Sequence, residues 1–228
     1  MSNLSVNIKI DRHGSGNARI HGKMGNQVHD VNVWKGPQPG DAYIEGEQNS
    51  LPTTLRINSA FSDNGHAVFG RLVGSEFKGN WAQEPAEGDA ELFLNKARLT
   101  IDQNPATGVT ESSGTRIKST TTRTNEEGDE NVALLADGSR ISMTVDRQPD
   151  GDIELRGKSG GQNFRLQMTR RGKDGDLTCK GTLPESLSLL PVMWELYGDD
   201  SKEPPAKPLS MGAVATLSAF YGFEALGK

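Results

Sequence analysis

The sequence predicts a mainly β protein, and three features support this fold class: short segments of alternating polarity, a duplicated set of turns, and a switch to helical spacing after about residue 183. We expect an antiparallel meander barrel or a two-sheet sandwich built by internal duplication, followed by a short C-terminal helical segment. A small β-propeller is the alternative.

The alternating segments are short and end in clusters of Gly, Asp, Asn or Pro. Strands of this kind pair with their sequence neighbours as antiparallel hairpins. The candidate strands are 5–11, 17–21, 28–34, 42–45, 54–61, 67–72, 76–81, 90–101, 115–122, 132–135, 140–146, 152–156, 163–170 and 176–179.

The duplicated turns lie in residues 10–46, which reappear without a gap as residues 145–181 with ten identities among 37 aligned positions. Five of the identities are glycines, which mark places where the backbone needs positive φ or close approach. A charged pair is also retained, as Asp11-Arg12 and Asp146-Arg147, and a turn-stabilising role at a strand end is the favoured interpretation. The repeat predicts how the chain is built, not what it does.

The dipeptide Gly-Asp begins four candidate strands, at residues 40, 88, 128 and 175. The spacings of 48, 40 and 47 residues suggest four units of about 45 residues, a size also found in propeller blades. Central propeller strands are covered on both faces and would be more uniformly apolar than these segments. The alternation therefore favours a barrel or a sandwich.

Composition divides the chain into three predicted parts: a first β half (1–104), a second β half (105–183) and a C-terminal helical segment (184–228). Residues 105–131 contain almost no core residues, and we expect the junction of the halves or a long exposed hairpin there. The threonine run at 119–124 favours an edge strand within this stretch.

The C-terminal segment has apolar residues at helical spacing. We expect one helix after Pro191, a proline-rich connector at 199–208, and a second helix at 211–226 that is apolar on most faces. The second helix either plugs or caps the β body, or docks on a partner chain. The predicted partner-binding residues are Val214, Leu217, Phe220, Tyr221, Phe223 and Leu226.

Charge and composition exclude several classes of function. A net charge of −5 and a pI near 5.5 argue against nucleic-acid binding, and Lys and Arg are spread evenly among the acids along the sequence. The single cysteine, Cys179, is read as a buried strand residue. The sequence shows no signal peptide and no apolar run that could span a bilayer, so we expect a cytoplasmic protein, with signal-less export left open.

The sequence gives little support for a catalytic or metal site. His13, His21 and His29 are spaced by eight residues, but strand parity places at most two on one side of the sheet, and we expect no metal or cofactor. The acidic turns at 146–152 and 173–176 lack the spacing of calcium loops and fit hairpin turns. No catalytic motif is visible, so an enzyme is not expected.

These observations predict a non-catalytic binding or assembly module in which a rigid β frame presents the C-terminal apolar helix to a protein partner or a second subunit. The alternative is a carrier of a small apolar ligand, similar to a lipocalin in overall architecture but not in sequence. An assembly module needs an exposed patch, whereas a carrier needs an unfilled interior.

Overall fold

The computed structural model describes residues 3–13, 16–38, 40–59, 65–84, 88–198 and 209–226, with side chains in the last helix described up to Glu224. Within these residues the chain forms sixteen strands, two α-helices and a short 3-10 helix. The first eight strands are β1 Asn3–Arg12, β2 Ala18–Met24, β3 Gln27–Lys35, β4 Ala42–Gln48, β5 Leu51–Asn58, β6 His66–Leu72, β7 Ser75–Gln83 and β8 Ala90–Leu94. The next eight are β9 Ala97–Asn104, β10 Val109–Gly114, β11 Ile117–Arg123, β12 Glu130–Ala136, β13 Ser139–Arg147, β14 Ile153–Ser159, β15 Gln162–Arg171 and β16 Asp176–Pro184. The 3-10 helix is Glu185–Leu187, and the α-helices are α1 Leu190–Tyr197 and α2 Met211–Leu226.

The strands form one closed antiparallel barrel. Each strand pairs with its sequence neighbours, and β1 also pairs with β16, where Val6 lies opposite Gly181. The predicted antiparallel meander barrel is confirmed, and the sandwich and the propeller are not the fold of this chain. The ranges 1–104 and 105–183 contribute strands to the same closed sheet.

Two stretches differ from the predicted strands. The candidate strand at 90–101 is divided into β8 and β9 by a turn at Asn95-Lys96, where Asn95 has φ of 56°. Residues 109–114 form β10, which was not predicted, and the threonine run lies in β11 between β10 and β12. The predicted edge strand is therefore wrong, because a closed barrel has no edge.

The two rims of the barrel carry different connections. Even-numbered strands up to β14 are followed by two-residue turns, and four of these turns, such as Asn49-Ser50 and Gly160-Gly161, have positive φ at both residues. This is the type I′ geometry, which matches the twist of the flanking strands. We call this end the hairpin rim, and the opposite end, which carries the Gly-Asp loops, the loop rim.

A recurring hydrogen bond ties the loops of the loop rim together. Asp129, at the start of β12, accepts the backbone N–H of Arg147 at the end of β13, with an N to O distance of 2.7 Å. Asp176 accepts the N–H of Arg12 in the same way, also at 2.7 Å. Each arginine also donates to the carbonyl of the glycine before the aspartate, Gly128 or Gly175. This contact explains the Gly-Asp dipeptides and gives both retained arginines their turn-stabilising role.

Side chains alternate between an apolar interior and a polar exterior. In β1, Val6, Ile8 and Ile10 are buried, whereas Asn7 and Lys9 are exposed. Cys179 faces inward in β16, and burial raises the pKa of its thiol to about 12.

The C-terminal tail fills the lumen. Barrels of sixteen strands usually enclose an aqueous channel, but here α1 runs inside the barrel towards the loop rim and α2 returns to the hairpin rim. Pro191 lies in the first turn of α1, where the missing N–H has no helical partner to lose. No helix within the described residues is long and apolar enough to cross a membrane. The predicted connector at 199–208 lies outside the described residues.

Candidate functional site

Five of the six predicted partner-binding residues lie inside the barrel. Five of them are at most 8% exposed in α2: Val214, Leu217, Phe220, Tyr221 and Phe223. The side chain of Leu226, the sixth, lies outside the described residues. Contact of the five with a partner would therefore require α2 to leave the lumen.

Two buried carboxylates hold the tail at the loop rim. Glu195 in α1 accepts hydrogen bonds of 3.0 and 2.8 Å from the Arg12 guanidinium, and both side chains are less than a tenth exposed. Glu130 in β12 accepts the backbone N–H groups of Met211 and Gly212, at 3.1 and 3.0 Å, which places a negative charge at the N-terminus of α2. Burial raises the pKa of Glu130, and the nearby Arg147 opposes that shift.

The wall that α2 contacts is the polar part of the barrel interior. Ser119 Oγ lies 2.8 Å from Thr216 Oγ1, which also donates to the Gly212 carbonyl. Any Cβ at Gly212 would overlap with the Thr121 side chain, so only glycine permits this approach. Further along, the hydroxyls of Tyr197 and Tyr221 lie 3.0 Å apart, and burial raises the pKa of both. These contacts fix the depth of α2 in the lumen.

The outer wall carries a shallow groove of about 720 Å³ over β11 to β15. Its outward residues lie in two rows that cross the five strands in register, and we call this set the basic shelf. One row is Thr122, Asn131, Thr144, Arg156 and Arg165, and the other is Thr120, Ala133, Ser142, Lys158 and Asn163. Three strands supply short, uncharged side chains, and the last two supply the cations.

The cations of the basic shelf are only partly neutralised. Arg156 and Arg165 both bind the carboxylate of Glu154, and the hydrogen bond from Arg156 is the main reason why the pKa of Glu154 falls to about 2. Asp146, opposite Glu154, also acts on Arg156, so Arg156 and Arg165 are largely balanced and Lys158 supplies the remaining charge of the shelf. Lys158 has no ion pair within the described residues, and Lys118 and Arg140 flank the shelf in the next outward row.

The histidines do not converge. His21 faces outward and lies 2.7 Å from Asp11, whereas His29 faces inward, where burial lowers its pKa. The described residues contain no group of three or more His, Cys, Asp or Glu side chains suited to a metal ion.

Sequence reasoning missed the basic shelf. Its cations are separated along the chain by neutral residues and acids, and they come together only because β14 and β15 pair in a particular register. Cations that are dispersed along the sequence are thus gathered on one part of the folded surface. Comparisons of this chain with protein families, with characterised proteins and with solved structures found no match.

Proposed function

We propose that this protein is a non-catalytic binding or assembly module whose basic shelf takes a protein partner with an acidic surface. The observation that carries this proposal is the concentration of cations on one wall of a protein whose net charge is −5. We expect it to act in the cytoplasm. The β frame keeps the role expected from the sequence, but the binding surface moves from the apolar helix to the outer wall.

The rigidity of the frame supports this proposal. The sheet is closed, the lumen holds α1 and α2, and buried carboxylates anchor both helices. A surface held in this way loses little conformational entropy on binding. The carrier alternative needs an unfilled interior, and the chain's own helices occupy that space.

The chemistry of the basic shelf suits carboxylates. Its hydroxyl and amide side chains, such as Thr144 and Asn131, can donate hydrogen bonds, and Lys158 supplies a charge that makes no ion pair with any residue the structure describes. Its outward positions include no aromatic ring on which a sugar or a base could stack. Since the cations are exposed, binding is expected to weaken as salt rises.

A labelled oligo-glutamate peptide tests the proposal. We expect fluorescence anisotropy to show binding at 50 mM salt that weakens at 300 mM. The affinity is expected to be at least about tenfold lower for Arg140→Gln/Lys158→Gln, because this variant removes Lys158 from the shelf and Arg140 from the row beside it. The matched control is Lys78→Gln/Lys96→Gln, which removes two exposed lysines outside the shelf and is expected to bind like the wild type. Equal loss in both double variants, or no binding by the wild type, would overturn the proposal.

A further inference from the structure

A second shallow groove, of about 430 Å³, lies on the outer wall over β2 to β4. Asp30 and Glu47 lie opposite each other on adjacent strands, and Glu45 lies opposite Asn32. We call Asp30, Asn32, Glu45 and Glu47 the acidic shelf. Asp30 pairs with Arg19, but Glu45 and Glu47 are exposed and have no ion pair within the described residues.

Three aligned outward positions of the two repeat copies carry opposite charges, whereas Lys158 of the basic shelf is aligned with Lys23 and keeps its charge. Arg19 pairs with Asp30 across β2 and β3, and the aligned residues Glu154 and Arg165 pair across β14 and β15 with the signs exchanged. At another aligned position, Glu45 in the first copy corresponds to Lys180 in the second. The same backbone arrangement thus presents an acidic wall at one place on the barrel and a basic wall at another.

We propose that the acidic shelf of one copy of this chain docks on the basic shelf of a second copy. The inference rests on the proposed function, because it names the acidic partner of the basic shelf as the protein itself. The inference is based on charge complementarity: each shelf has exposed charges that make no ion pair within the part of the chain that the structure describes, and the signs are opposite.

The geometry of such a contact has a consequence for assembly. The two surfaces differ and lie on separate strands, so each molecule can use both at once, and the contact is heterologous. A heterologous contact continues into a ring or an open chain instead of stopping at a dimer. Two shallow polar surfaces form a weak, salt-sensitive interface, so assembly is expected to depend on concentration.

Sedimentation velocity of the full chain tests this inference. At 50 mM salt the wild type is expected to sediment faster as its concentration rises, and at 500 mM it is expected to return to monomer. Glu45→Gln/Glu47→Gln and Arg140→Gln/Lys158→Gln are each expected to weaken association at least about tenfold. Their exposed positions leave the core unchanged, and circular dichroism checks the fold. The matched control, Glu76→Gln/Lys78→Gln on β7, is expected to assemble like the wild type.

The decisive measurement mixes the two shelf variants in equal amounts. One retains the basic shelf and the other the acidic shelf, so the mixture is expected to form a dimer that grows no further. A wild type that stays monomeric at low salt, or a mixture that stays monomeric where the wild type assembles, would overturn self-association. If the wild type is monomeric but still binds oligo-glutamate through the basic shelf, the proposed function stands and only the choice of partner fails.

Discussion

Residues 10–46 and 145–181 share most of their turn glycines and differ in several of their outward charges. Gly46 and Gly181 are aligned, and a Cβ at either would overlap with a backbone carbonyl of the preceding strand, from Asp30 or from the aligned Arg165. The outward side chains at these same positions have opposite charges. The backbone constrains the glycines but leaves the side chains on the outer face free to vary.

The largest loss of stability is expected when one methyl group is added at a glycine that both copies share. Gly46→Ala and Gly181→Ala are each expected to lower the free energy of unfolding by about 4 kcal/mol or more, because the new Cβ overlaps with the carbonyl of a neighbouring strand. Urea unfolding followed by circular dichroism measures the loss. Gly160→Ala is the control: it also has positive φ but nothing near its Cβ, and it is expected to lose about 1 kcal/mol. A small loss at Gly46 with a large loss at Gly181 would show that the two copies do not share this constraint.

The aligned arginines at the loop rim, Arg12 and Arg147, are expected to contribute unequally to stability. Arg12→Met leaves the Glu195 carboxylate buried without its guanidinium, and we expect a loss of about 3 kcal/mol. Arg147→Met is expected to lose less, because Glu130 keeps two backbone N–H donors from α2. Urea unfolding compares the two, and Arg12→Met/Glu195→Met is expected to recover most of the loss. Equal losses for both arginines would show that the backbone N–H donors of α2 do not compensate Glu130 for the loss of Arg147.

The reversed ion pairs predict a pH dependence specific to the second copy. Arg156 and Arg165 hold the pKa of Glu154 at about 2, below its value in an unfolded chain. The associated stability is present above about pH 4.5 and is lost as the pH falls towards 2, because the carboxyl takes up a proton at a higher pH in the unfolded chain than in the folded protein. Wild type is expected to lose about 1 to 2 kcal/mol more than Glu154→Gln between pH 5 and pH 2.5.

Urea titrations at several pH values measure this difference. Glu45→Gln in the first copy is the control, since Glu45 is exposed and has no ion pair within the described residues. Parallel pH profiles of wild type and Glu154→Gln would show that the two arginines do not stabilise the carboxylate.

The smallest effect concerns a turn outside both copies. The copies use Gly25-Asn26 and Gly160-Gly161 at the hairpin rim, whereas the turn between β6 and β7 has Val73 at φ of 47°. A β-branched residue is strained at positive φ, and Asn-Gly is the favoured type I′ sequence. Val73→Asn is therefore expected to add about 1 kcal/mol of stability, seen as a rise in Tm of about 2 to 4 °C. An unchanged or lower Tm would contradict strain at Val73.

The parts of the fold that the sequence predicted depend on local signals. Alternation identified most strands, and the range predicted for the second helix agrees with α2. The strand β10 was missed because its inward residues, Thr110 and Ser112, are polar. They lie on the polar wall that faces α2, so β10 lacks the usual alternation of apolar and polar residues. The turn at Asn95-Lys96 was missed because it contains neither glycine nor proline.

The candidate site could not be predicted from local sequence patterns, because it depends on contacts between distant parts of the chain. The sequence indicated that the apolar residues of α2 must be buried. Whether the barrel or a partner buries them depends on the volume inside the closed sheet, which local patterns do not specify. The basic shelf depends on cross-strand register, which places Arg165 beside Arg156 although nine positions separate them along the chain. Local patterns do not determine either arrangement.

The path of the tail through the lumen also constrains the order of folding. The seam between β1 and β16 joins residues from opposite ends of the chain, and the helices that fill the interior follow the last strand. During synthesis, the apolar inner faces of the early strands must therefore wait for the C-terminal residues before they can be covered. Contacts so distant in sequence make folding slow, and the partly made barrel exposes surfaces prone to aggregation, so this protein is expected to depend on protection by chaperones until its final helix has emerged.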